Sequence, residues 1–155
     1  MTPAVKKKNL HFDAGFSLSE MLVSISVLGV LATVALPTAW TLFPAATTRG
    51  GAREIQAALN QARMVAIQTR QNICVQTVPG GVQLLQGSCA GAAWIGLDTN
   101  SAGVIAVSND VSLSGDSPIF TPFGTASTTG VLTVTHASGF SLTVTVQPSG
   151  QVTIP

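Results

Sequence analysis

Two hydrophobic rhythms divide the first half of the chain. From Phe16 to Leu36 apolar residues follow one another with only small Ser, Thr and Gly between them, apart from a single carboxylate, Glu20. The run is 21 residues long, about 31 Å at helical rise, which matches the hydrocarbon core of a bilayer. A membrane-crossing helix is therefore expected over 16–36. From Ala52 to Gln71 the apolar positions become spaced: Ile55, Leu59, Ala62 and Ala66 recur on one face, with Met64 and Ile67 widening the stripe. Arg53, Glu54, Gln56, Asn60, Gln61, Arg63 and Arg70 fall on the other face, so 52–71 reads as an amphipathic helix lying against a sheet. Between the two, Pro37, Pro44 and Gly50-Gly51 break the pattern, and 37–51 is expected to be an interrupted helix or a linker.

Past Gln71 the period drops to two. Ile73 to Val78 and Val82 to Gln86 flank Pro79-Gly80-Gly81 and read as a hairpin. A mixed loop follows from Gly87 to about Gly103, with Trp94-Ile95 over the core, then short strands at 104–107 and 111–113 around Asn109-Asp110. Val131 to Thr135, Ser141 to Val146 and Val152 to Ile154, joined by Ala137-Ser138-Gly139 and Pro148-Ser149-Gly150, form a meander. In it Leu132, Val134, Leu142, Val144 and Val146 alternate with threonines, predicting one buried face and one hydroxyl-covered face.

Glu20 is the position that the hydrophobic pattern does not explain. An ionised carboxylate inside a membrane helix costs about 2.5–3.5 kcal/mol on insertion scales and marks a function or a partner. Cleavage between Gly15 and Phe16 would create an α-ammonium one helical turn before Glu20. The carboxylate would then have a cationic partner, in its own or a neighbouring subunit, at the helix end where the dipole favours negative charge.

The ordered set of Lys6-Lys7-Lys8, Gly15, Phe16, Glu20, the apolar helix and Pro37 resembles the class III signal of type IV prepilins and type II secretion pseudopilins. An ordinary secretory signal would not hold a carboxylate in its apolar core, and a plain anchor would leave Gly15 and Glu20 unexplained. The resemblance implies that a prepilin peptidase cuts after Gly15 and methylates the new N-terminal Phe16, and that the uncleaved helix anchors the subunit and later packs in a filament, with Glu20 setting register. The three lysines of the 1–15 leader stay cytoplasmic by the positive-inside rule, which places the C-terminal part across the inner membrane.

A second resemblance covers Ala52 to the C-terminus. Arg70-Gln71-Asn72, Ile119-Phe120-Thr121-Pro122-Phe123-Gly124 and Gln147-Pro148-Ser149-Gly150-Gln151-Val152 look like the GspH/FimT family of minor pseudopilins. Together the two resemblances imply an α+β, type IV pilin-like fold: a long N-terminal α-helix packed on a C-terminal antiparallel β-rich globular head spanning 52–155. They imply a minor pseudopilin of a type II secretion pseudopilus or a minor subunit of a type IV pilus, in the bacterial inner membrane with a periplasmic head and then in the filament. The expected partners are the prepilin peptidase, other pilins or pseudopilins, the inner membrane and a secretion or pilus assembly platform.

Charge and candidate chemistry narrow the alternatives. After removal of 1–15 the chain keeps four arginines, five acids and no lysine, a formal charge of −1. Such a balance lacks the clustered basic footprint of nucleic-acid binding, and Arg49, Arg53, Arg63 and Arg70 read as a solvated helix face. The runner-up function is a DNA-binding minor pilin for natural transformation. The DNA-binding branch resembles itself in an arginine-bearing end, whereas Gly150-Gln151-Val152-Thr153-Ile154-Pro155 has no basic residue, so nucleic acid is not expected as a partner.

No enzyme is expected. His136, the one histidine of the mature part, has no nucleophile or metal-ligand cluster at recognisable spacing, and neither cofactor nor metal is called for. Cys74 and Cys89, the two cysteines, are expected to form a disulfide in an oxidising compartment. A symmetric turn at Pro79-Gly80-Gly81 places Cys74 opposite Gln86, three residues short of Cys89, so the chain must bend back at Gly87-Ser88 to close the bridge.

Overall fold

The computed structural model describes residues 17–107 and 111–155, the side chains of 34 and 36–42 excepted. The leader with Gly15 and Phe16, and the Asn109-Asp110 turn, lie outside the described residues. The chain divides into two compact units, 1–39 and 40–155.

One helix, α1, runs Leu18–Thr69. Its first turn is closed by Ser17, whose carbonyl accepts from the Glu20 and Met21 amides. In the first unit every large apolar side chain from Leu18 to Leu31 is more than half exposed. The hydroxyls among them turn back on the helix: Ser24 donates to the Glu20 carbonyl and Ser26 to the Leu22 carbonyl, both at 2.8 Å. Such back-bonding satisfies each hydroxyl within its own helix. Among the described residues no helix is long and apolar enough to cross a membrane; the 16–36 stretch read as spanning extends at both ends beyond the described side chains.

Helical structure continues through Pro37, Pro44 and Gly50-Gly51, where the sequence suggests an interruption. After Pro44 the turn is held by the Thr48 hydroxyl, fully buried, which donates to the Pro44 carbonyl at 2.7 Å. Gly51 is a packing residue. A Cβ there would lie 2.9 Å from Val111 Cγ2 and 3.3 Å from Val134 Cγ1, so the glycine lets α1 approach the sheet closely.

In the second unit nine strands follow α1: β1 Ile73–Val78, β2 Gly81–Gln86, β3 Val104–Ala106, β4 Val111–Gly115, β5 Ile119–Phe120, β6 Ala126–Thr128, β7 Gly130–His136, β8 Ser141–Val146 and β9 Val152–Thr153. They make two antiparallel sheets, ordered β3-β2-β1-β5-β6 and β4-β7-β8-β9. The expected meander is the last three strands of the second sheet. Its alternation holds, with Leu132, Val134, Val144 and Val146 buried and Thr133, Thr135, Thr143 and Thr145 on the outer side.

The core joins Ile55, Leu59, Ala62 and Ala66 of α1 to Ile73, Val75, Val82, Leu84 and Phe120 of the first sheet and to Leu132, Val134, Val144 and Val146 of the second. Ala58 and Val65, not Met64 and Ile67, widen the helical stripe: Met64 is 58% and Ile67 46% exposed. The buried arc is centred on the 55/59/62/66 line, and the sheets wrap the Ala58/Val65 flank instead. Trp94 packs on the core as expected, while Ile95 is exposed.

Candidate functional site: assembly helix and head junction

Each residue singled out by the sequence has a local setting. Glu20 stands in the first turn of α1, exposed, beside Ser17, Ser19, Val23 and Ser24, which line one shallow recess with it. The Ser17 and Ser19 hydroxyls bond each other at 2.8 Å. Glu20 is thus open to a partner, at the helix end whose dipole favours its charge. Gly15 and Phe16, expected from the sequence to flank a cleavage site, lie outside the described residues.

Cys74 and Cys89 are bonded, with Cα atoms 5.1 Å apart. The hairpin register differs by one from the symmetric expectation. Val78 pairs with Gly81, so the loop is Pro79-Gly80 alone, and Cys74 faces Leu85. Proline fixes a negative φ and Gly80 takes φ 82°, a two-residue turn that shifts the partner strand by one position. The bend at Gly87-Ser88 still brings Cys89 back. Gly87, at φ 79°, donates to the Asn72 carbonyl at 2.7 Å, and Ser88 N donates to the Gln86 carbonyl at 2.9 Å.

Polar residues of α1 act as tethers as well as a wet face. Gln56 Nε2 donates to the Val152 carbonyl at 3.0 Å, Gln61 Nε2 to the Leu97 carbonyl at 2.9 Å, and Arg63 Nε to the Gly124 carbonyl at 2.6 Å. Arg63 is therefore a structural residue, which corrects the reading of all four arginines as a solvated face. Its bond lies where two glycine turns meet. Gly124 N donates to Thr121 O and Gly150 N to Gln147 O, and both glycines take positive φ, 75° and 77°. A Cβ on Gly150 would come within 2.0 Å of the Gly124 oxygen. The Ala126 amide completes the junction by donating to the Pro148 carbonyl at 3.0 Å. The segments 119–124 and 147–152 thus lock the two sheets and α1 together.

His136 sits at the β7–β8 turn, its Nδ1 2.8 Å from the Ser138 hydroxyl and accepting from the Ser138 amide at 3.2 Å. Its carbonyl accepts from Gly139 N. These are turn-closing bonds. Among the described residues no group of three or more His, Cys, Asp or Glu side chains is placed to hold a metal ion.

Residues 51–150 match the family described as type II transport protein GspH, and residues 11–36 match the prokaryotic N-terminal methylation motif. The chain belongs to the GspH family. Similar folds occur in the minor pseudopilin EpsH from the type 2 secretion system of Vibrio cholerae, with 13% identity, TM-score 0.53 and 70% of this chain over 95% of that one. They occur also in the type IV minor pilin FimU of Pseudomonas aeruginosa strain PAO1, with 17% identity, TM-score 0.51 and 69% of this chain over 91% of that one. A second crystal form of FimU gives 18% identity and the same TM-score, over 70% and 87% of the two chains. Among curated proteins none matches the chain. The likeness in fold is that of a pilin-type helix and head, as expected from the sequence.

Proposed function

We propose that this GspH-family chain is a minor pseudopilin, a non-enzymatic structural subunit of a type II secretion pseudopilus or a type IV pilus. A prepilin peptidase removes 1–15 and methylates Phe16. The apolar helix holds the subunit in the inner membrane, with the head on the periplasmic side, until an assembly platform moves it into the filament. There the helix packs with those of other pilins or pseudopilins, and Glu20 pairs with the Phe16 ammonium of a neighbour.

The observation that carries this reading is the joint occurrence, in one chain, of the methylation motif over 11–36 and the GspH match over 51–150. The uncovered apolar surface from Leu18 to Leu31 supports it, since surface of that extent needs lipid or other helices around it. Intact-mass analysis of the chain purified from membranes tests the processing. The expected mass is that of 16–155 plus one methyl group. A retained leader, or cleavage near Ala39, contradicts the reading.

A further inference from the structure

We propose that the head carries a binding site for an uncharged saccharide, in the pocket between the exposed flank of α1 and the loop that follows β2. The pocket measures about 460 Å³, within the range of small-molecule sites, roughly 300–1,000 Å³. Asn60, Gln61, Met64 and Gln68 line it from α1, and Trp94 and Leu97 line it from the loop. None of its lining residues is ionisable, and its side-chain polar groups are three carboxamides and the indole N–H. Asp98, next to Leu97, does not line it.

The loop wall is fixed before any ligand arrives. The Trp94 amide donates to the Leu84 carbonyl at 2.8 Å, and Ala93 bridges to Leu85, so β2 holds the residue in place. The indole packs on the core, and a Cβ on Gly96 would run into its ring. Gly96 thus leaves room for the side chain to fold back on its own turn. That turn is closed by the Gly96 amide, which donates to the Thr99 hydroxyl at 2.8 Å, and Gln61 Nε2 ties it to α1 by donating to the Leu97 carbonyl at 2.9 Å. A site already held in one shape loses little freedom on binding.

The unused groups of the pocket select the ligand. The Asn60 and Gln68 carboxamides have no hydrogen-bond partner among the described residues, and the Gln61 oxygen is likewise unused. The indole N–H is unbonded too; because no side-chain nitrogen or oxygen among the described residues is buried without a partner, it is open to solvent. A carboxamide both donates and accepts, as each sugar hydroxyl does. The indole ring, Met64 at 58% exposure and Leu97 at 85% supply apolar surface for the C–H face of a pyranose. A wholly apolar partner would strip water from the carboxamides and leave them unpaired, and a charged one would lose its hydration with no countercharge in return. A neutral polyol with one apolar face meets both kinds of surface. The pocket lies wholly within the second unit, so the proposal stands apart from the filament-subunit reading.

The test is NMR titration of the processed full-length chain, in micelles of a detergent without a sugar headgroup, with maltose, cellobiose and N,N′-diacetylchitobiose. At least one of these disaccharides should bind with a Kd of about 1 mM or tighter. It should shift the Trp94 indole N–H and the Asn60 and Gln68 side-chain amides along one saturating curve, equally at low and high salt. Asn60→Ala with Gln68→Ala, both exposed positions, should weaken that binding about tenfold or more. Ala57→Phe, which fills the pocket from an exposed position on its rim, should abolish it. Both variants should keep the wild-type far-UV circular dichroism. No shift of these groups with any of the sugars overturns the proposal, as does sugar binding that neither variant weakens, since the ligand then sits elsewhere. Shifts produced by anilinonaphthalene sulfonate and by none of the sugars overturn it as well, marking the pocket as an apolar surface. Absent sugar binding with normal incorporation into filaments removes this site and leaves the filament-subunit reading standing.

Discussion

Replacing Gly150 with alanine isolates the junction that ties both sheets to α1. Gly150 takes φ 77°, and an added Cβ would fall 2.0 Å from the Gly124 oxygen, backbone that also accepts the 2.6 Å bond from Arg63. Neither neighbour is the free end of a flexible chain, so the turn must move. An alanine in the left-handed region costs about 1–2 kcal/mol. Displacing the Gly124 carbonyl from a half-buried guanidinium adds about 1.5–3 kcal/mol for a charged hydrogen bond. The expected loss is about 2.5–5 kcal/mol, a fall in Tm of roughly 10–20 °C for a head of this size. Gly139→Ala is the control, because Gly139 has φ 86° but nothing within 4 Å of an added Cβ, so it should lose only the backbone part. Urea unfolding followed by circular dichroism compares the two. If Gly150→Ala costs no more than Gly139→Ala, the junction is not a structural lock.

Two further outcomes follow from the head. Replacing Cys74 and Cys89 together by alanine opens a loop of sequence separation 15, so unfolding free energy should fall by about 3 kcal/mol; in the native chain both thiols should resist alkylation until reductant is added. With Arg63 held by Gly124 and a mature charge of −1, the processed chain should show no strongly salt-dependent DNA affinity in fluorescence anisotropy; submicromolar binding at physiological salt, lost on Arg53→Ala, would reverse the ranking of the two functions.

What the sequence makes legible is what depends on local pattern. The helical core line Ile55, Leu59, Ala62 and Ala66, the β1–β2 hairpin and the threonine-faced meander all follow from spacing within one element, and the structure has them. The chain's passages between sheets were not legible. After β3 it leaves the first sheet for β4, returns as β5 beside β1, and leaves again for β7. Neither β5 nor β6 exceeds three residues, too short for an alternation to register. Gly51 reads as a helix breaker in the sequence, because its role is visible only against Val111 and Val134. Arg63 likewise reads as a surface charge until Gly124, 61 residues away in sequence, is placed beside it. The hairpin register turned on a single residue, since a proline-glycine pair closes the turn without Gly81. At the N-terminus Glu20 stands out in the sequence itself, because a carboxylate at the start of an apolar run is anomalous in one dimension, while Gly15 and Phe16 lie outside the described residues. The partner proposed for Glu20 belongs to another chain, and no pattern in this one displays it.

Glu20 therefore carries the most direct measurement of the central claim. Glu20→Ala and Glu20→Gln remove a costly charge from the apolar helix, so both variants should insert into the membrane at least as well as wild type. Gly15 is untouched, and cleavage should persist. Incorporation into filaments should fall sharply, because a neighbour's Phe16 ammonium would be left unpaired in an apolar core at a cost of several kcal/mol. The readout is the amount of mature chain that co-purifies with sheared filaments, relative to the amount in the inner membrane. A large drop in that ratio with normal insertion and cleavage is the predicted result; Glu20→Ala at the wild-type ratio would contradict the account.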